Sequence, residues 1–338
     1  MRRKADMKQK QSSIGKKQRL NQSLLLIIII VALCIIATIV NPRFLRITNL
    51  INILQQIAVL GIISSGVGML LISGEIDISV GNQVSLMGIV LALIIQKGGE
   101  IAADASNAWM IAWSIPLAIV VTFIIGAILG FINGITVIKS RAASFIITLG
   151  FGSVYRGIAL LISGGASFTL YGRFEALGRG RIFDFLPIAI LFLVGIVVLT
   201  HILLKYTKYG RFLYAIGGNK KAAYVSGINT TRVTMRGFIT VGIFNALAAL
   251  ILISRTGTAL ASTADAYSLD ALASVVVGGV AITGGRGNAL SIFLGVLLIG
   301  IVGNALVVMN VNPYMRGVAI GLIIIIAVTV SGLSEDRK

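Results

Sequence analysis

The chain has 338 residues, 57% of them apolar and 12% charged, with a mean hydropathy of +0.99. This excludes a soluble two-domain protein and indicates an all-α polytopic membrane protein: only helices or closed barrels satisfy every backbone polar group in lipid, and the apolar runs are too long for barrel strands. The formal net charge of +18 does not point to nucleic acid, because the basic residues sit in short connecting segments and tails rather than on a folded polar domain.

In chain order, a basic tail (1–23) precedes the first apolar run, 24–40. That run has no small-x-small cleavage site before Asn41-Pro42 and is read as a span rather than a signal peptide. Runs at 51–73, 79–95, 109–138, 144–163, 186–204, 237–254, 270–284, 288–309 and 316–332 follow, giving about ten spans within a transmembrane domain of residues 24–332 and leaving a short tail, 333–338. The run 109–138 exceeds what one perpendicular helix needs, so it is either tilted or starts at the interface before Pro116. The run 270–284 is short and contains Gly278-Gly279, as a broken or partly re-entrant segment would.

Basic residues are retained on the cytoplasmic side. With ten spans and the amino terminus inside, the inner side collects twenty: eight before residue 20, seven in 205–236, and Lys139, Arg141, Arg286, Arg337 and Lys338. The outer side has seven: Arg43, Arg46, Lys97, Arg173, Arg179, Arg181 and Arg255. Both termini are therefore expected in the cytoplasm. A faint echo between 71–81 and 280–288, with five spans in each half, fits two inverted five-helix halves.

Polar residues inside spans are the first functional candidates, since a charge at the bilayer centre costs roughly 2.5 to 3.5 kcal/mol even on lenient scales. Arg156 lies close enough to the outer end of its run to snorkel to the headgroups; a pore or helix-pairing role is the alternative. Gln55, Gln56, Asn82, Gln83, Asn133, Asn245 and Asn304 would suit a path for a hydroxyl-rich solute or, more simply, join helices together. Gly126, Gly130 and Gly134 recur every fourth residue, the spacing that lets helix backbones approach. Glu75 and Asp77 are either a proton or cation site or, more simply, cap and break helices beside Gly74 and Gly81.

Counting removes other chemistry. Cys34 and His201 are the only residues of their types, which excludes internal disulfides, structural zinc and a Cys/His catalytic pair, and no metal site is expected. No paired aspartates occupy facing spans and no P-loop is present, since Gly284-Gly285-Arg286-Gly287 lacks the lysine and hydroxyl that such a loop needs. The chain is therefore not expected to be an enzyme.

The segment 205–236 carries seven basic residues and no acid around a small-residue centre. Asn219 is a good amino-terminal cap, Ala222 and Ala223 keep a helix thin, and Gly227 ends it with a left-handed turn. A thin capped helix fits a cleft on a second protein better than it fits a lipid surface.

Five strings in order and at similar spacing resemble the permease subunits of bacterial ribose-type ATP-binding-cassette (ABC) sugar importers. They are 49–56 (Asn49 to Gln56), 73–81 (Ser73 to Gly81), 209–219 (Tyr209 to Asn219), 226–229 (Ser226 to Asn229), and Val276-Val277-Gly278-Gly279 with 284–287. The resemblance implies a permease of the bacterial cytoplasmic membrane, present as two copies or paired with a homologue. Its partners would be a cytoplasmic ABC ATPase, which alone would bind ATP and Mg, and an extracytoplasmic sugar-binding protein; the chain itself would bind no cofactor. It also makes 205–236 the ATPase-coupling segment, with Gly218, Asn219, Lys221, Ala222, Ala223, Ser226, Gly227 and Ile228 at its centre. In that family an acid usually precedes the two alanines; here Lys221 stands in its place. Outside, Arg43, Arg46, Arg173, Arg179 and Arg181 would meet acidic residues of the binding protein. An ion-coupled secondary transporter and a branched-chain amino-acid permease of the same machinery are the competing readings.

Overall fold

The computed structural model describes residues 24–101, 109–140, 142–312 and, beyond these, 314, 315, 317–323, 325 and 329. Both tails, Arg141, Arg316 and part of the run 316–332 lie outside the described residues.

Helix α1 (Leu24–Val40) leads into a 3-10 turn (Pro42–Leu45), opened by Asn41, whose Oδ1 accepts the Arg43 N–H at 3.0 Å. There follow α2 (Ile47–Ile72), α3 (Val80–Ile101), α4 (Trp109–Ser140) and α5 (Ser144–Ser163). A short connecting region holds β1 (Phe168–Thr169), α6 (Ala176–Arg179), β2 (Arg181–Ile182) and β3 (Leu186–Pro187). The remainder is α7 (Ile188–Tyr206), α8 (Lys208–Gly218), α9 (Lys220–Val225), α10 (Thr230–Thr256), β4 (Thr258–Ala259), α11 (Tyr267–Val277) and α12 (Ala289–Val308), and residues 317–323 are again helical. Strand β1 pairs antiparallel with β4, and β2 with β3.

Seven of the described helices (α2, α3, α4, α5, α7, α10 and α12) are long and apolar enough to cross a membrane. Burial sorts them into layers. The spans of α2 and α10 are 83% and 78% buried, whereas those of α4, α5 and α7 are 28%, 22% and 33% buried, so α2 and α10 form the core and the other three present apolar side chains outward, as lipid-facing helices do. Pro116 lies inside α4, which continues through it as one 32-residue helix from Trp109, longer than a perpendicular span requires.

The glycine stripe explains the tightest pairing. Helices α4 and α10 run antiparallel with their backbones in contact, so that a Cβ added at Gly126 would strike the Gly242 carbonyl and one at Gly130 the Phe238 carbonyl, while Gly134 faces Met235. Small residues gain dispersion contacts here by letting the main chains approach, the main attraction left to helices already surrounded by apolar lipid.

Two spans are broken, and the breaks are related. Helix α2 ends at Ile72 and the chain runs non-helically through 73–79 before α3 begins; α10 ends at Thr256 and the chain runs through 257–266 before α11 begins. Gly74 (φ 83°) and Gly257 (φ 71°) make the turns that leave each helix, a left-handed conformation that glycine adopts without strain. Since α2 and α10 pack antiparallel, with Arg255 against Gln55 and Leu70 against Gly237, the two breaks start from opposite ends of the molecule. They meet inside it: the Gly81 N–H donates to Ser268 Oγ at 3.0 Å and the Ala264 N–H to Ser85 Oγ at 3.0 Å.

The run 270–284 is thus the end of an 11-residue helix (Tyr267–Val277) followed by irregular chain, as its length and Gly278-Gly279 indicate. The echo between 71–81 and 280–288 does not express an inversion. The Gly285 N–H donates to the Ile72 carbonyl at 2.8 Å, which places both strings at the same end, and the segment opposite 73–79 is instead 257–266.

The α4–α10 contact generates a test. Replacing Gly242 with Val should destabilise the protein by about 1–3 kcal/mol through overpacking. Gly150→Ala, whose added methyl meets nothing within 4 Å, should leave it unchanged. Thermal unfolding of the two purified variants in detergent measures the difference.

Candidate functional site

The polar groups of the described residues fall into three tiers. At the end where α2 begins and α10 ends, a cleft of about 430 Å³ opens between α2, α10, α11 and α12. Its polar wall is Asn52, Gln55, Gln56, Arg179, Arg255 and Tyr267, and its apolar wall includes Ile57, Leu60, Ile299 and Val307. The short helix α6 is locked to this rim: Gln55 Nε2 donates to the Gly178 carbonyl at 2.7 Å and the Gly178 N–H donates to Ser254 Oγ at 2.8 Å. Arg255 Nη1 reaches the carbonyls of Gln55 and Gln56, each at 3.4 Å. Amides, guanidinium groups and one phenol around an apolar wall can exchange hydrogen bonds with a hydroxyl-rich solute while covering its apolar face.

The second tier is the junction of the breaks. Asp77, 2% exposed, accepts from the Ser79 N–H at 2.8 Å, from Ser79 Oγ at 2.6 Å, from Asn133 Nδ2 at 3.1 Å and from Gln83 Nε2 at 3.3 Å. Asn133 Oδ1 accepts from Tyr155 OH at 2.6 Å, and Asn245 Nδ2 donates to Gln83 Oε1 at 2.9 Å. The network ties 73–79 and α3 to α4, α5 and α10. The break's own main chain is satisfied by side chains: the Ile76 N–H donates to Ser144 Oγ at 2.9 Å and the Ile78 N–H to Thr148 Oγ1 at 3.1 Å. Asp77 therefore organises the start of α3, the simpler of its two readings.

The third tier lies at the other end. Thr207 caps α8, accepting the Gly210 N–H at 3.1 Å, and Asn219 caps α9, accepting the Ala222 N–H at 2.9 Å. Gly227 takes φ 82°, and the Ile228 N–H returns to the Ala223 carbonyl at 3.1 Å, closing α9 as the spacing requires. Ala223 is buried beneath α9, whereas Lys221, Ala222, Tyr224 and Val225 are exposed, the last two 71% and 84%. Tyr209 on α8 is held in the core; burial pushes its phenol up to about 12, opposed by Thr240 and the Arg236 charge, so it stays neutral.

Placed residue by residue, Gln55 and Gln56 share the cleft, whereas Asn133 and Asn245 are fully buried and spent on the junction. Asn82 is half-buried beside Gly152, and Asn304 exchanges two hydrogen bonds with Asn49, at 2.9 and 3.0 Å, joining α12 to α2. Arg43, Arg46, Arg173 and Arg181 are exposed; Arg179 is engaged by Glu175 at 2.7 Å and by the Arg255 carbonyl at 2.8 Å. Arg156 pairs with Asp265 in the second break at 3.1 Å. Asn52, Arg255 and Tyr267 were not candidates on sequence, because each sits at a span end where a polar residue is unremarkable; only the convergence of α2, α10 and α11 makes them a group.

Comparison with known proteins gives this architecture a class. Residues 49–328 match the family described as branched-chain amino acid transport system / permease component. The chain is 38% identical over 327 residues to the ribose import permease protein RbsC of Bacillus subtilis, covering 96% of this chain and 94% of that one. It is 33% identical over 324 residues to the galactose/methyl galactoside import permease protein MglC of Escherichia coli, covering 92% and 95%. No solved structure matches. The chain belongs to the ribose-type permease family of ABC importers and is an inner-membrane, multi-pass, non-catalytic transport subunit that works with an ATPase and a substrate-binding protein.

The junction yields a prediction. Asp77→Ala leaves the Ser79, Gln83 and Asn133 donors without their acceptor and should cost about 2–3 kcal/mol. A lowered midpoint of thermal unfolding, with recovery in Asp77→Asn of part of the loss, is the expected result.

Proposed function

We propose that this chain moves ribose or a related simple sugar inward, as one of two permease copies energised by ATP hydrolysis in partner subunits. The observation that carries this is likeness along nearly the whole chain to permeases named for ribose and for galactose import. The amide and phenol groups of the cleft agree with it, and its two guanidinium groups are engaged by the protein itself, Arg179 by Glu175 and Arg255 by the carbonyls of Gln55 and Gln56. Ion coupling is disfavoured because Glu75 is paired with Lys220 and Asp77 is engaged on both oxygens.

In this reading ten spans place both termini in the cytoplasm, the cleft opens outward, and Gln55 and Gln56 begin the path with Asn52 and Tyr267. Two inverted five-helix halves are supported by the matching order of a core helix, a break and a second helix in α2–α3 and α10–α11. Residues 218–228 dock on the ATPase through the exposed face of α9, and the exposed arginines Arg43, Arg46, Arg173 and Arg181 receive the sugar-binding protein. Lipid covers the outward faces of α4, α5 and α7.

Cells expressing the importer should take up labelled ribose or galactose, and uptake of leucine but of neither sugar would overturn the reading. Gly227→Arg adds bulk at a left-handed position on the docking face, and co-purification of the ATPase should fall at least about tenfold, equivalent to 1.4 kcal/mol. Wild-type recovery of the ATPase with this variant would refute the docking assignment.

A further inference from the structure

One ion pair links the coupling segment to the interior of the membrane domain. Lys220 Nζ, on the first residue of α9, lies 2.8 Å from Glu75 Oε1. The lysine side chain is 60% exposed and the glutamate side chain 11%, so the carboxylate is the buried partner and the lysine its access to solvent. Glu75 belongs to the first break, and two residues further on Asp77 fixes Ser79, Gln83 and Asn133. A displacement of Lys220 therefore has a path of one ion pair and two residues to Asp77, whose hydrogen bonds hold Ser79 and Gln83 at the start of α3.

The surroundings make this link selective. The rest of the coupling segment bears on the end of α2 and on 284–287: Gly217 packs against the Ile72 carbonyl and Gly285, and Tyr214 OH donates to the Gly287 carbonyl at 2.8 Å. Those contacts, one a close main-chain approach and one a hydrogen bond, leave little room for movement. The ion pair instead borders a cleft of about 290 Å³, lined also by Val137, Ile138, Ala142, Thr230, Thr231 and Thr234, which leaves room for the side chains to shift. Removing the lysine leaves a carboxylate that is only 11% exposed without its charge partner.

We propose that Lys220 and Glu75 form a coupling strut: they are positioning residues that carry movement of the docked α9 into residues 73–79, and so into the start of α3. This inference rests on the reading of 205–236 as the ATPase-docking segment.

The test uses the permease–ATPase complex, with hydrogen exchange followed before and after addition of a non-hydrolysable ATP analogue. In the wild type, α9 should be protected by the ATPase and the analogue should change exchange in 73–79. Lys220→Gln and Glu75→Lys should each weaken that response, by about tenfold in exchange rate. The exchanged pair, Glu75→Lys with Lys220→Glu, should restore it, as should Lys220→Arg, while α9 stays protected throughout. Ribose uptake should fall and recover in parallel, at unchanged amounts of assembled complex. The strut is refuted if 73–79 responds in Lys220→Gln as in the wild type, if the wild type shows no response there, or if the exchanged pair does no better than the single variants. An unprotected α9 in the wild type would remove the docking reading and the strut together.

Discussion

The structure depends on how two interrupted spans satisfy their main chain away from water. A non-helical segment inside a bilayer protein exposes amide and carbonyl groups whose burial without partners costs several kcal/mol each. Here hydroxyl groups of neighbouring helices take the place of water: Ser144 and Thr148 serve the first break, Ser268 meets the first residues of α3, and Ser85 serves the second. Each accepting hydroxyl must stand at one depth and one rotation on its helix. The positions of α3, α5 and α11 are fixed as much by this requirement as by apolar packing.

The same requirement concentrates polar groups at one point inside the protein. Breaking a span releases the amino terminus of the following helix, and α3 and α11 bring theirs together at the junction. Around that point lie a polar cleft on one side and an ion pair to α9 on the other. A transporter with continuous helices would have to build such groups from isolated side chains, at a greater cost in desolvation.

Much of the fold was legible in the sequence because lipid imposes a length rule and helix ends obey local chemistry. The apolar runs mark the helices, Gly278-Gly279 marks the short α11, and Asn219 and Gly227 bound α9. The glycines of α4 were readable as a contact stripe, although nothing local named α10 as its partner. What remained hidden was tertiary. The second break, 257–266, contains ordinary turn residues and only its pairing with the first shows that it enters the core. Among the seven polar candidates in spans, spacing could not separate Gln55 and Gln56, which reach a cleft, from Asn133 and Asn245, which do not, because an amide that joins helices and one that faces a solute are the same residue type.

The contact of α4 with α10 has a mechanical consequence. Main chains that touch at Gly126 and Gly242 have no intervening side chains whose rotamers could change to let one helix slide past the other. The two helices are therefore locked against sliding and behave as a single stiff beam across the core.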